Sequence, residues 1–124
     1  MTESGRSFAQ DLLRVTRRDP DSLDNAVVLE VSGELDLLSA PLLEKAVAAA
    51  FASEPELLVF DLTGVTFLAS IGMTILLKAQ RDATPNARIR VVAPERSVVA
   101  RALALTGLLD ALGVVPTVPD ALAR

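Results

Sequence analysis

The stretch "LLVFDL" (Leu57–Leu62) constrains the fold of this chain more than any other. A strand with one wet face alternates polar and apolar side chains. A nearly continuous apolar run of this length fits a strand covered on both faces, which places it centrally in a sheet and among parallel neighbours. Parallel neighbours require crossover connections, usually helices. The rest of the chain should therefore alternate strands with helices, and its hydrophobic pattern does so.

Upstream, "LLRVT" (Leu12–Thr16) reads as a short strand, and "RRDPDSLDN" as a polar surface connection containing Pro20. "AVVLEVSG" (Ala26–Gly33) is rich in β-branched residues and reads as a second strand, with Gly33 permitting a turn at its end. These two strands have no helix between them and should pair directly. Ser39–Ala52 carries the clearest helical pattern. Ser39 stands as the N-cap, Pro41 lies where a missing N–H is harmless, and Leu42, Leu43, Ala46, Val47, Ala50 and Phe51 form one apolar face.

Downstream of "TGVTFLA", the spacing predicts a second helix from Ser70 to about Ala83, with Ile71, Ile75, Leu76 and Ala79 inward and Lys78, Arg81 and Asp82 outward. "ARIRVVA" (Ala87–Ala93) reads as another apolar strand closed by Pro94. "ERSVVARALALTG" reads as a third helix, with Val98, Val99, Ala102, Leu103 and Leu105 apolar and Gly107 just past its end. "LGVVPTV" and "PDALAR" add a short strand and a terminal helical turn. The expected fold is a single α/β domain over residues 1–124, with a mixed central sheet of four to five strands and residues 1–10 as a loose start. A chain of 124 residues, 51% of them hydrophobic, can build one core without staples, although aromatics make up only 3%.

Composition then prunes function. There is no Cys, hence no disulfide framework and no thiolate metal site. There is no His, which removes the commonest general base and the commonest metal ligand. With 12 Lys and Arg against 16 Asp and Glu, and no basic cluster beyond Arg17–Arg18, direct nucleic-acid binding is not expected. No apolar stretch reaches the roughly 18 residues of a membrane span, and the first residues lack a secretory apolar core. A cytoplasmic protein needing no cofactor is the expectation.

In an open α/β sheet, partners meet the loops beyond the carboxyl ends of the strands. Two such loops carry polar residues: "GELDLLS", with Glu34 and Asp36, and the connection from Asp61 to Ser70. A serine at a helix start can be a cap, or it can carry a phosphate whose oxygens the free N–H groups of the first turn receive. Gly72 leaves the surface beside it open. A nucleophilic serine would need a base within reach. Neither Lys45 nor Lys78 has a recognisable Ser–Lys spacing, and "LASIG" lacks the glycines of a nucleophile elbow. Asp36 near a turn suits a turn-former, and Asp61 at a strand end must be solvated or hydrogen-bonded; neither sits in a spaced acidic metal motif.

Three segments in order, "VSGELDLLSAPLLEKAV", "LLVFDLTGVTFLASIGMTILL" and "VVAPERSVVARALALTGLLDALGVVPTVPDAL", resemble the anti-sigma factor antagonist family, whose fold is the STAS domain. The resemblance covers residues 26–123. It implies a STAS-like sheet with helices packed mainly on one side, and a regulatory binding protein with no catalysis of its own. The implied partner is an anti-sigma factor with Ser/Thr kinase activity. Unphosphorylated antagonist binds it and frees a sigma factor; transfer of phosphate from ATP to the antagonist ends the complex. The family's phosphoacceptor position falls on Ser70, and a phosphatase that resets Ser70 would complete the cycle.

The resemblance implies a partner surface taking in Glu34, Asp36, Ser39, Ala69, Ile71, Gly72 and Met73, on a monomer or weak homodimer. Two positions depart from the family pattern: the acidic residue before the acceptor is Ala69, and the small or hydroxyl residue after it is Ile71. Those departures leave open a phosphorylation-independent STAS adaptor or scaffold subunit in a larger regulatory or transport assembly. A serine hydrolase or small-ligand binder is the remaining reading from another class.

Overall fold

The computed structural model describes residues 12–123 apart from 22 and 24. The expectation for residues 1–10 lies outside the described residues. A five-stranded sheet runs in chain order: β1 (Leu13–Arg18), β2 (Ala26–Leu35), β3 (Leu57–Leu68), β4 (Arg88–Val92) and β5 (Val114–Val115). β1 pairs antiparallel with β2, and every later pair is parallel. The helices are α1 (Ala40–Ala52), α2 (Ser70–Asp82), α3 (Val98–Leu105) and the short α4 (Val118–Leu122).

The run that opened the sequence reading does lie at the centre of this sheet. Leu58, Phe60 and Leu62 face one side and join the main core with Leu43, Val47 and Ala50 of α1, Ile75, Leu76 and Ala79 of α2, and Val99 and Leu103 of α3. Leu57 and Val59 face the other side, where a smaller core gathers Ala26, Val28, Val92 and Ala121 of α4. Period-2 alternation thus divides one apolar strand between two cores. Burial of such aliphatic side chains is the main stabilising term, worth roughly 1.5–3 kcal/mol for each fully covered one.

Several boundaries differ from the sequence reading, for identifiable reasons. β3 does not stop at Leu62 but continues to Leu68, because Val65 and Leu68 return to the core after the exposed Thr63 and Gly64. β2 likewise runs through Gly33 to Leu35. Gly33 is not a terminating turn. It has φ +103, lies between register shifts in the β2–β3 ladder, and a side chain there would run into the carbonyl oxygen of Leu12. On α3, Val98 and Leu105 point outward instead of joining the apolar face, leaving Val99 and Leu103 to anchor the helix. β3 and β4 stay in register only as far as Asp61 and Val92. Beyond that level β2 and β3 continue together, with β1 alongside β2 as far as Leu13 opposite Gly33, and this extension carries the loops of interest.

Candidate functional site

The last ladder pairs of the extension are Glu34 with Phe67 and Leu35 with Leu68. The two chains therefore leave the sheet side by side. Their first residues beyond it are tied together by the Ala69 N–H donating to the Leu35 carbonyl at 2.9 Å. The turn before α1 and the start of α2 thus form a single surface.

On the β2 side, the turn is built around Asp36. Its Oδ1 accepts hydrogen bonds from the backbone N–H groups of Leu38 (3.0 Å) and Ser39 (3.1 Å), and its carbonyl accepts from the Ala40 N–H (2.8 Å). Asp36 thus shapes the turn ahead of α1, and no side chain caps the first turn of that helix, in contrast to the role the sequence suggests for Ser39. The Ser39 hydroxyl makes no cap bond; it donates to the Glu34 carbonyl at 2.7 Å and accepts from the Asp36 N–H at 3.0 Å. Ser39 is 0% exposed, so in this conformation it braces the turn from within and presents nothing to a partner. Between these two fixed residues, Leu37 and Leu38 are held outward at 76% and 61% exposure.

On the β3 side, the residue in the N-cap position of α2 is Ala69, with extended backbone and no side-chain bond to the first turn. Ser70 is the first helical residue and not the cap, because its backbone is already helical. Its side chain is exposed, and its carbonyl accepts from Thr74 Oγ1 at 3.1 Å. Gly72 is buried: a Cβ there would stand 2.5 Å from Leu68 Cδ1 and 2.8 Å from Leu35 Cδ2. Its bareness serves the packing of α2 onto the two strand ends, and it does not leave the outer surface open as the sequence suggested. Ile71 and Met73 are half-buried against the same core, and Glu34 is exposed. Phe67, which the sequence reading passed over, is 50% exposed on the last turn of the extension. Alternation from inward Val65 would turn Phe67 inward too; the register shift that leaves Thr66 unpaired reverses it, and no local pattern in the sequence marks that shift.

The arrangement offers an accessible hydroxyl at the start of α2 and exposed apolar side chains, Leu37, Leu38 and Phe67, on the adjoining strand ends and turn. Asp61 lies away from it, its Oδ1 accepting from Thr63 Oγ1 (2.6 Å) and the Thr63 N–H (3.0 Å). Among the described residues no three carboxylates gather as a metal site, and no helix is long and apolar enough to cross a membrane.

Comparison with known proteins decides the family. The model of the STAS domain matches residues 17–121. The chain belongs to the STAS domain family. Among curated relatives of this STAS domain, the anti-sigma-F factor antagonist RsfB of Mycobacterium tuberculosis is 36% identical over 114 residues, covering 92% of this chain and 90% of its own. The antagonist RsfA of the same organism is 32% identical over 127 residues, covering 98% and 96%. Among solved structures, an anti-sigma factor antagonist from Mycobacterium paratuberculosis superimposes with a TM-score of 0.83 at 36% identity, covering 91% of this chain and 93% of that one. The antagonist SpoIIAA in its unphosphorylated form shares the fold at a TM-score of 0.70 and 19% identity, covering 90% and 95%. The mixed sheet expected from the sequence is the STAS sheet.

Proposed function

We propose that this STAS domain is an anti-sigma factor antagonist. It acts by binding and not by catalysis: it captures an anti-sigma factor with Ser/Thr kinase activity through the turn before α1 and the start of α2, and phosphorylation of Ser70 ends the complex. The observation that carries the reading is the exposed Ser70 hydroxyl at the start of α2, whose strand end is tied to the turn that exposes Leu37 and Leu38. The named relatives supply the partner class. Exposed apolar side chains of this kind bind by excluding water, and a phosphate on Ser70 adds roughly 1.5 to 2 negative charges that would have to be desolvated. Glu34 and Asp36 on the neighbouring chain make the same place less hospitable to anions. A difference of about 3 kcal/mol in partner affinity, roughly a hundredfold, is enough to switch the complex.

The test is incubation with the cognate anti-sigma kinase and ATP, followed by intact-mass measurement. Wild type should gain one phosphate and Ser70→Ala none. Ser70→Glu should weaken the complex by about tenfold or more. A second reading, a STAS adaptor that never cycles through phosphate, is favoured by Ala69 and Ile71. An alanine caps nothing and offers a kinase no carboxylate, and Ile71 is partly committed to the core. Unmodified wild type that still binds its partner after kinase and ATP would establish that reading instead.

A further inference from the structure

The neighbouring helices α1 and α2 both run against helix electrostatics. Acids stabilise the start of a helix and bases its end, because the N-terminus carries partial positive charge and the C-terminus partial negative. Neither helix has an acidic residue in its first turn. Each instead meets one at its end: Asp82 is the last residue of α2, and Glu54 follows Ser53, the C-cap of α1. Arg81 offsets Asp82 at 3.6 Å, whereas no basic residue stands in the last turn of α1. Glu54 also has φ +53, the left-handed conformation for which glycine is usual just past a helix. Positions that oppose local stability in this way are expected where a surface has another task.

Both acids line one groove. Between the helices it is a cleft of about 230 Å³, floored by Val47 and Phe51 of α1 and by Ile75 and Ala79 of α2. Past the helix ends it widens to a hollow of about 470 Å³ between the loops that lead to β3 and β4. Phe51 and Asp82 line both parts and join them. Along the whole lining the charges are Glu44, Glu54, Glu56 and Asp82 against Lys78 alone. The two helix C-termini add partial negative charge of their own. An apolar floor under a rim of one sign matches an occupant that is apolar on one side and cationic on the other.

We propose that this groove receives a basic amphipathic helix of another protein. Aliphatic side chains of that helix enter the cleft, and its Lys and Arg meet the carboxylates of the rim. A helix suits the walls better than a strand. Glu44, Val47, Ala48 and Phe51 stand at i, i+3, i+4 and i+7 on α1, and Ile75, Lys78, Ala79 and Asp82 repeat that spacing on α2. Those rows are the ridges between which a third helix packs. The walls are helical, so their backbone groups are bonded within each helix and offer a strand no ladder. No lining residue belongs to the turn before α1 or to the first turn of α2, and the assignment does not depend on the role of Ser70.

Nuclear magnetic resonance titration of the isotope-labelled full chain tests it, with a designed peptide of about five helical turns bearing leucines on one face and lysines on the other. Amide shifts should concentrate on the walls of the groove, and a twin peptide with glutamate for every lysine should cause none. Glu54→Lys and Asp82→Lys should each raise the dissociation constant about tenfold or more. Asp110→Lys makes the same change of net charge outside the groove and should leave the constant unaltered. Glu54→Gly separates binding from folding. It should raise the melting temperature, by relieving the backbone and removing an acid from a helix end, and still weaken the peptide about threefold or more. No binding, shifts scattered over the surface, equal binding of the acidic twin, or equal losses from Asp110→Lys and Asp82→Lys would each overturn the proposal.

Discussion

Helices α2 and α3 pack on the same face of one sheet, but their ends are finished differently. α3 is closed at both ends. Ser97 Oγ accepts from the Ala100 N–H at 3.1 Å, and at the other end the Gly107 and Leu108 N–H groups return to the carbonyls of Ala104 (3.1 Å) and Leu103 (2.8 Å). That paired closure satisfies carbonyls the last turn would otherwise leave open. α2 starts on Ala69, which caps nothing, and its first residue is the exposed Ser70. What holds the start of α2 is tertiary: buried Gly72 against Leu35 and Leu68, and the Ala69 N–H on the Leu35 carbonyl. The helix away from the candidate site is secured by its own sequence. The helix at the candidate site is secured by its neighbours, so its first turn is free to present a hydroxyl.

Three substitutions probe this contrast. The largest effect is expected at Gly72→Val, which drives a branched side chain into Leu35 and Leu68 and should cost about 2 kcal/mol, read as a lower urea midpoint. If α2 were secured by its own first turn, the two leucines would simply shift and the midpoint would hold. Ser97→Ala removes the cap of α3 and should cost about 1 kcal/mol in the same assay. The smallest effect has the opposite sign. Ala69→Asp supplies the missing cap to α2 and should stabilise by about 0.5–1 kcal/mol, with a higher melting temperature. No gain from that change would mean that the start of α2 is already satisfied without a side-chain cap.

The order and type of the elements were legible because hydrophobic period distinguishes strand from helix, and "LLVFDL" alone indicated a central parallel strand. The reach of β2 and β3 was not legible. Gly33, Thr63 and Gly64 look like punctuation, and only the cross-strand partners show that the ladder passes through them. At the site, Ser70 and its exposure were readable from the strand-to-helix change, but the capping was not. Ser39 has the spacing of a cap, yet its hydroxyl is turned back to the Glu34 carbonyl and the Asp36 N–H, contacts with the preceding strand end that local pattern does not reveal. Phe67 was missed for a related reason: an aromatic in an apolar run is ordinarily core, and its outward direction depends on register with Glu34.

The turn from Glu34 to Ser39 bonds chiefly to itself, with Asp36 and Ser39 facing the backbone and Leu37 and Leu38 facing out. This separates two kinds of constraint within six consecutive residues. Changes at Asp36 or Ser39 would be punished by misfolding whatever the partner, whereas Leu37 and Leu38 can be exchanged with little effect on the fold. If this turn is the partner surface proposed above, partner choice can be changed by altering two side chains on a fixed turn. On that reading, exchanges at Leu37 and Leu38 should change the partner without changing the fold, and exchanges at Asp36 and Ser39 should do the reverse.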